Sequence, residues 1–415
     1  MNFPAMVRVK QDFNTNSIQD LPAAVRSEIA KIKPREIIAP GNNVAITAGS
    51  RGIANIATIL AEVVGELKKI GANPLIVPTM GSHGGATAEG QKRILEHYGI
   101  TEAAMGAPIR SSMEVVQIGT TSDGVPVLVD QNASKADHII VVNRIKPHTD
   151  FKGDIESGLM KMMAIGLGKQ RAADHYHNVF IRLGYYHVLT TVAREIIRQC
   201  PIAFGLALVE NQKDETEIIQ AIPPGEIEAT EQKLLVKAKA LLPRIPFDPI
   251  DLLIVDQMGK DISGAGMDQN VIARTVMRFH QVPSQPKITR IFVRDFTPTT
   301  DGNATGLGNA DFTTRRLVDK IDTHISYMNA ITSSCPEAVR IPPYFDSDRE
   351  AIETALNTVG DIPPQKARIV RILNTLKLEE MMISEAMLSE AGQLDRLSII
   401  GSPAEMAFDA QGNLI

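Results

Sequence analysis

The sequence predicts an α/β protein of two domains, each built on a mostly parallel sheet flanked by helices. Three observations carry that prediction. Short apolar runs alternate with segments whose apolar residues recur at helical spacing, the pattern of strands joined by crossover helices. A proline cluster, Pro243, Pro246 and Pro249, interrupts the pattern and disfavours both helix and ladder hydrogen bonding. The pattern then restarts, and 415 residues exceed what one core ordinarily fills. The expected domains are residues 1–243, carrying the chemistry, and a smaller α/β domain over 250–415 that closes the cleft.

In chain order, Val7, Val9 and Lys10 read as an edge strand, and a helix follows over 21–32. Val44–Thr47 is a strand, Ala48–Gly52 a turn, and the apolar spacing from Ile53 to Ile70 a helix that Gly71 ends. The unit repeats with a strand at 74–78, a glycine loop at 81–86, and Thr87 as N-cap of a helix through His97. A β-rich stretch from 109 to 129 precedes the strand 138–142. A further strand at 202–209 and a charged helix around 224–241 complete the first domain. Strands at 251–255 and 288–293 open the second, and Ser263–Asn270 and Thr300–Gly306 read as site-facing loops.

Composition narrows the function. Hydrophobic residues at 44% with 22% charged describe a soluble globular chain. A net charge of −5 gives no reason to expect nucleic acid or an anionic membrane, which leaves small molecules and further copies of the chain in a homo-oligomer. Two cysteines, Cys200 and Cys335, make no disulfide framework. No basic start with an apolar run and no stretch of about 18 apolar residues occurs, so the expected location is cytoplasmic.

The candidate chemistry converges on strand ends. Arg51 follows the first strand–helix strand, His83 the second, and Lys146 with His148 a third. In open α/β sheets ligands bind outside the carboxyl ends of the strands, so these groups should face one cleft. Arg51 suits bidentate pairing with a carboxylate, and the helix start after Gly81–Ser82 attracts anions. A histidine near its ordinary pKa takes and returns protons at neutral pH, and Pro147 fixes the backbone that aims His148. Two such bases from opposite walls serve the two faces of a substrate, which is what a racemase or epimerase needs. Downstream, Lys161 lies in the apolar run Leu159–Leu167, where a desolvated amine gains nucleophilicity or else snorkels to solvent. His175 and His177 share a face on a strand but diverge by about 200° on a helix, so they make a weak metal site by themselves.

The pattern Arg51, Gly81-Ser82-His83 with Thr87 and Glu89, Pro147-His148, Ser157-Gly158-x-x-Lys161 and His177 resembles the nickel-dependent lactate racemases and their wider group of hydroxyacid racemases and epimerases. The resemblance implies a lactate-racemase-like fold and a nickel-pincer nucleotide. The cofactor would be tethered to Lys161 and its nickel bound by His177, with His175 as a neighbouring candidate. Ser157, Gly158, Gly81 and Ser82 would sit around it. It implies His83 and His148 as alternating acid and base and Arg51 on the carboxylate of a small-molecule 2-hydroxy acid; Lys146 joins the catalytic candidates from its place at the strand end beside His148. Where the family has a shorter, glycine-richer stretch before the lysine, this chain carries Lys152, Asp154 and Glu156. Two alternatives stay open: a cofactor-free lyase or dehydratase acting on a hydroxy acid, and a non-catalytic carboxylate-binding homologue.

Overall fold

The computed structural model describes residues 2–13, 16–50, 52–149, 151–277 and 281–415. Two compact units emerge: the first comprises Thr15–His148 with Lys152–Leu242, the second Met1–Asn14, Thr149–Phe151 and Pro243–Ile415. Among the described residues no helix is long and apolar enough to cross a membrane.

Strand β1 (Met6–Gln11) belongs to the second unit. The first unit is built on β2 (Asn43–Ala48), β3 (Asn73–Pro78), β4 (His138–Arg144), β5 (Ile202–Glu210) and β6 (Thr216–Ile222), in the spatial order β3-β2-β4-β5-β6. The first three junctions are parallel and the last antiparallel. The β-rich stretch before β4 is a two-stranded hairpin, Val115–Thr120 with Pro126–Asp130. Helix α1 (Leu21–Ile32) and helix α2 (Ile56–Lys69) share one core with Val44, Ile46, Ile140 and Phe204. In α2 the buried side chains are Ile56, Ile59, Leu60, Val63, Val64 and Leu67, the three-and-four spacing that makes one apolar stripe. Gly71 ends it in the left-handed region, with its N–H on the Lys68 carbonyl and that of Ala72 on Leu67, the paired bonds of a glycine C-terminus. Helix α3 (Ala88–His97) starts where the sequence indicates, at Thr87, whose hydroxyl accepts from the Gly90 N–H.

In the second unit the order is β8-β7-β9-β10-β1-β11, with β7 (Ile250–Met258), β8 (Ile288–Phe296), β9 (Ile369–Ile372), β10 (Glu380–Ser384) and β11 (Leu397–Ala404). The sheet is parallel across β8, β7 and β9 and antiparallel from β9 onward. Separate cores cover its faces, Val7 and Val9 joining one and Met6 the other. β1 is therefore an interior strand, not the edge strand its alternation suggested. Alternation reports which side chains are covered and carries no information on whether both backbone edges are paired. The two glycine loops expected in this domain pack on each other. A Cβ at Gly266 would collide with the Thr305 carbonyl, and one at Gly306 with the Ala265 carbonyl.

Truncating the fully buried Leu60 of α2 to Ala should lower unfolding free energy by about 2–5 kcal/mol, measured by urea denaturation, because the packed stripe cannot collapse around the void.

Candidate functional site

In the first unit, the loops after β2, β3 and β4 leave the same edge of the sheet, as parallel pairing requires. Ser50, two residues beyond β2, places its Oγ 2.5 Å from Nδ1 of His83 in the loop after β3. The Tyr98 hydroxyl donates to the Ser50 carbonyl at 2.9 Å, so the serine is held at both ends. Arg51 lies outside the described residues. Gly81 adopts φ +58, and a Cβ there would stand 3.5 Å from Ile165 and 3.8 Å from Ala173. The His83 loop is thus seated against the segment that links Lys161 to His177.

Beyond β4 the chain folds back on itself, with the Lys146 N–H donating to the Ser157 carbonyl at 2.8 Å. The charged stretch between them is internally braced. Glu156 is fully buried and accepts the N–H groups of His148 at 2.8 Å and Gly153 at 3.2 Å. Its charge is paired with Lys239 at 2.7 Å, while Lys152 donates to the His148 carbonyl at 2.6 Å. A buried carboxylate persists only when paired and hydrogen-bonded; here Lys239 supplies the pairing, and the backbone N–H groups of His148 and Gly153 supply the hydrogen bonds.

Ser157 and Gly158 lead into a short helix, α4 (Leu159–Lys161), which continues through a π-turn, Met162–Gly166. Leu159, Met160, Met162 and Met163 are buried, as expected for core methionines, while Lys161 is half-buried. Met162 reaches back to the first strand end, its methyl 3.1 Å from where a Cβ on Gly49 would stand. Asn143 at the end of β4 donates to the Gly158 carbonyl at 2.7 Å. The start of α4 is capped by Glu231, whose Oε2 accepts from the Met160 N–H at 2.9 Å. Gly158 is required beside it, since a Cβ would collide with that carboxylate. Burial pushes the Glu231 carboxyl up to about 7, and the N–H bonds from Met160 and Leu159 oppose the shift.

His175 and His177 lie on helix α5 (Lys169–Leu183). The helix turns them apart: His175 is exposed with its ring edge-on to Tyr176, and His177 is half-buried against Phe180 at 5.5 Å. Phe180 meets Tyr185 at 4.8 Å, and Tyr185 meets His148 at 5.4 Å. A continuous aromatic run therefore joins His177 to His148. Among the described residues no three His, Cys, Asp or Glu side chains converge as metal ligands.

Sequence reasoning missed Ser50, Tyr185 and Glu231. Only Glu231 left a signal. On helix α6 (Ile227–Ala240) it shares the apolar stripe of Ile227, Leu234, Leu235 and Ala238, where a solvated glutamate would not fall.

Residues 6–184 match the lactate racemase N-terminal domain family. Over 90% of this chain and 99% of the other, the structure resembles that of the lactate racemase apoprotein from Thermoanaerobacterium thermosaccharolyticum, with a TM-score of 0.52 and 14% sequence identity, a likeness of fold. No curated protein matches the chain.

Glu231 generates a pH test. Its folded pKa of about 7 lies above its ordinary 4.5, so the fold favours the neutral acid. The associated stability, roughly 3 kcal/mol, is fully present below pH 4.5 and lost as pH rises through 7. Urea unfolding of wild type and Glu231→Gln at pH 5 and 8 should show this slope only in the wild type. Equal slopes in both would remove the assignment.

Proposed function

We propose, from the premise that the chain carries the N-terminal domain of the lactate racemase family, that it is a racemase or epimerase inverting the carbinol carbon of a 2-hydroxy carboxylate. What carries this reading is the pair of braced imidazoles at one sheet edge. His83 is fixed by Ser50 and His148 by the Glu156 clamp on its backbone.

A hydroxyl partner suits a group that must alternate between acid and base. Ser50 accepts from Nδ1–H when His83 carries its proton there, and donates to Nδ1 when it does not. His83 and His148 then remove and return the hydroxyl proton of the substrate from its two faces. Arg51 and Lys146 hold the carboxylate, each matching it in charge.

The nickel-pincer nucleotide of the family fits the residues present. A group that brings most of its own donor atoms needs from the protein an amine and an imidazole. Lys161 and His177 provide these on two half-buried positions. His175 faces away on its helix and contributes less. When bound, the cofactor supplies a reversible acceptor for the hydride of the carbinol carbon. The protein's part is to orient the hydroxyl, exclude water and move its proton.

The test uses protein produced with cofactor-assembly enzymes and separated 2-hydroxy acid enantiomers followed by chiral chromatography. His83→Gln and His148→Gln should each lower kcat by about 10²–10⁴-fold. Intact mass should show an adduct on Lys161 with one nickel per chain, absent from Lys161→Ala. Variants within about tenfold of wild type, or an unmodified chain that still turns over, would overturn the proposal. Turnover that survives chelation and places solvent deuterium on carbon would mark a lyase instead.

A further inference from the structure

The first residue of α5, Lys169, sits where a lysine is disfavoured on three counts. Its side chain is fully buried. Its backbone is in the left-handed region at φ +55, a conformation that penalises any residue with a Cβ. It also puts a cation at a helix N-terminus, where the dipole is positive. A methionine would fill the same space without an ammonium to bury or a charge to set against the dipole, so the ammonium itself must be needed.

Its ammonium is held by two hydrogen bonds and one ion pair. Nζ donates to the Pro78 carbonyl at the end of β3, lies 3.2 Å from Gln91 Oε1 on α3, and pairs with Asp130 at 3.1 Å. Asp130 is also fully buried and uses its other oxygen on the N–H groups of Asn132 and Ala133. Because Oε1 of the buried Gln91 faces the ammonium, its amide NH₂ is turned the opposite way. There it donates to the Gly81 carbonyl at 2.9 Å and, more weakly, to that of His83 at 3.4 Å. A charge on the helix of His177 therefore dictates, through one amide, where the carbonyls of the His83 loop lie. Burial lowers the Lys169 pKa, and the neighbouring Asp130 carboxylate opposes that shift.

We propose that Lys169 and Gln91 are positioning residues that hold the His83 loop in register with the helix bearing His177. Any consequence for turnover rests on the function proposed above; the structural coupling does not.

Two variants separate this from bulk stability. Gln91→Glu keeps an acceptor for Lys169 but has no donor for the two loop carbonyls. Lys169→Met combined with Asp130→Asn removes the ammonium without stranding a buried carboxylate, since Asn still accepts from the Asn132 and Ala133 N–H groups. In full-length protein with labelled histidine, the His83 resonances, assigned with His83→Gln, should shift in both variants. Those of His97, His138 and His187 should stay in place, with thermal midpoints within a few degrees of wild type. If racemisation is established, kcat should fall about tenfold with KM changed less than about twofold, as for a displaced base with intact binding. Unmoved His83 resonances in a folded Gln91→Glu variant would overturn the proposal whatever the activity. Shifted resonances without racemisation would leave it standing and remove only the proposed function.

Discussion

A parallel strand pair must return its chain across the face of the sheet before the next strand begins, so all its outgoing loops leave one edge. In the first unit this constraint acts on β2, β3 and β4 together. It is the reason residues 50, 83 and 148, scattered over a hundred positions of sequence, are delivered to neighbouring strand ends. The π-turn after α4 then closes over that edge, with Met162 against Gly49 and Ile165 against Gly81. Gly49 allows an approach that a Cβ would crowd, and Gly81 adopts a φ of +58 that favours glycine.

Around this edge the braces are buried titratable side chains, and each of them is bonded to backbone. Glu156 takes the N–H groups of residues 148 and 153, Glu231 that of residue 160, Asp130 those of 132 and 133, and Lys169 the carbonyl of Pro78. Buried ionic groups add little net stability compared with apolar side chains of similar size, because desolvation offsets their attraction. What they give in return is direction. A hydrocarbon side chain tolerates small shifts of its neighbours, whereas a carboxylate loses its hydrogen bonds over a few tenths of an ångström.

Much of the fold was legible in the sequence. The stripe of α2, the Gly71 stop and the Thr87 cap all follow from local rules, and the structure has them within a few residues of the expected positions. The interior place of β1 was not legible, since strand partners far along the chain leave no mark on the alternation of Val7 and Val9. The histidines and Lys161 stood out because titratable residues among small ones at strand ends are unusual. Ser50 did not, as a serine in a glycine turn is ordinary turn chemistry. The brace at Glu156 was hidden in a different way. Lys152, Asp154 and Glu156 read only as a charged departure from a glycine-richer stretch; of the three only Asp154 is exposed, and the pairing of Glu156 exists only once Lys239 is brought in from α6.

The placement of β1 also sets an order of events during synthesis. Met6–Gln11 pairs with Glu380–Ser384 on one side and Leu397–Ala404 on the other, so neither neighbour exists until almost four hundred residues have been translated. At about 5–20 residues per second, a ribosome needs on the order of 20–75 seconds to supply them. Throughout that interval Val7 and Val9 form an apolar segment with unsatisfied edges, while the first unit can already fold behind it. The nascent chain thus carries an early apolar segment whose two partner strands are the last to arrive.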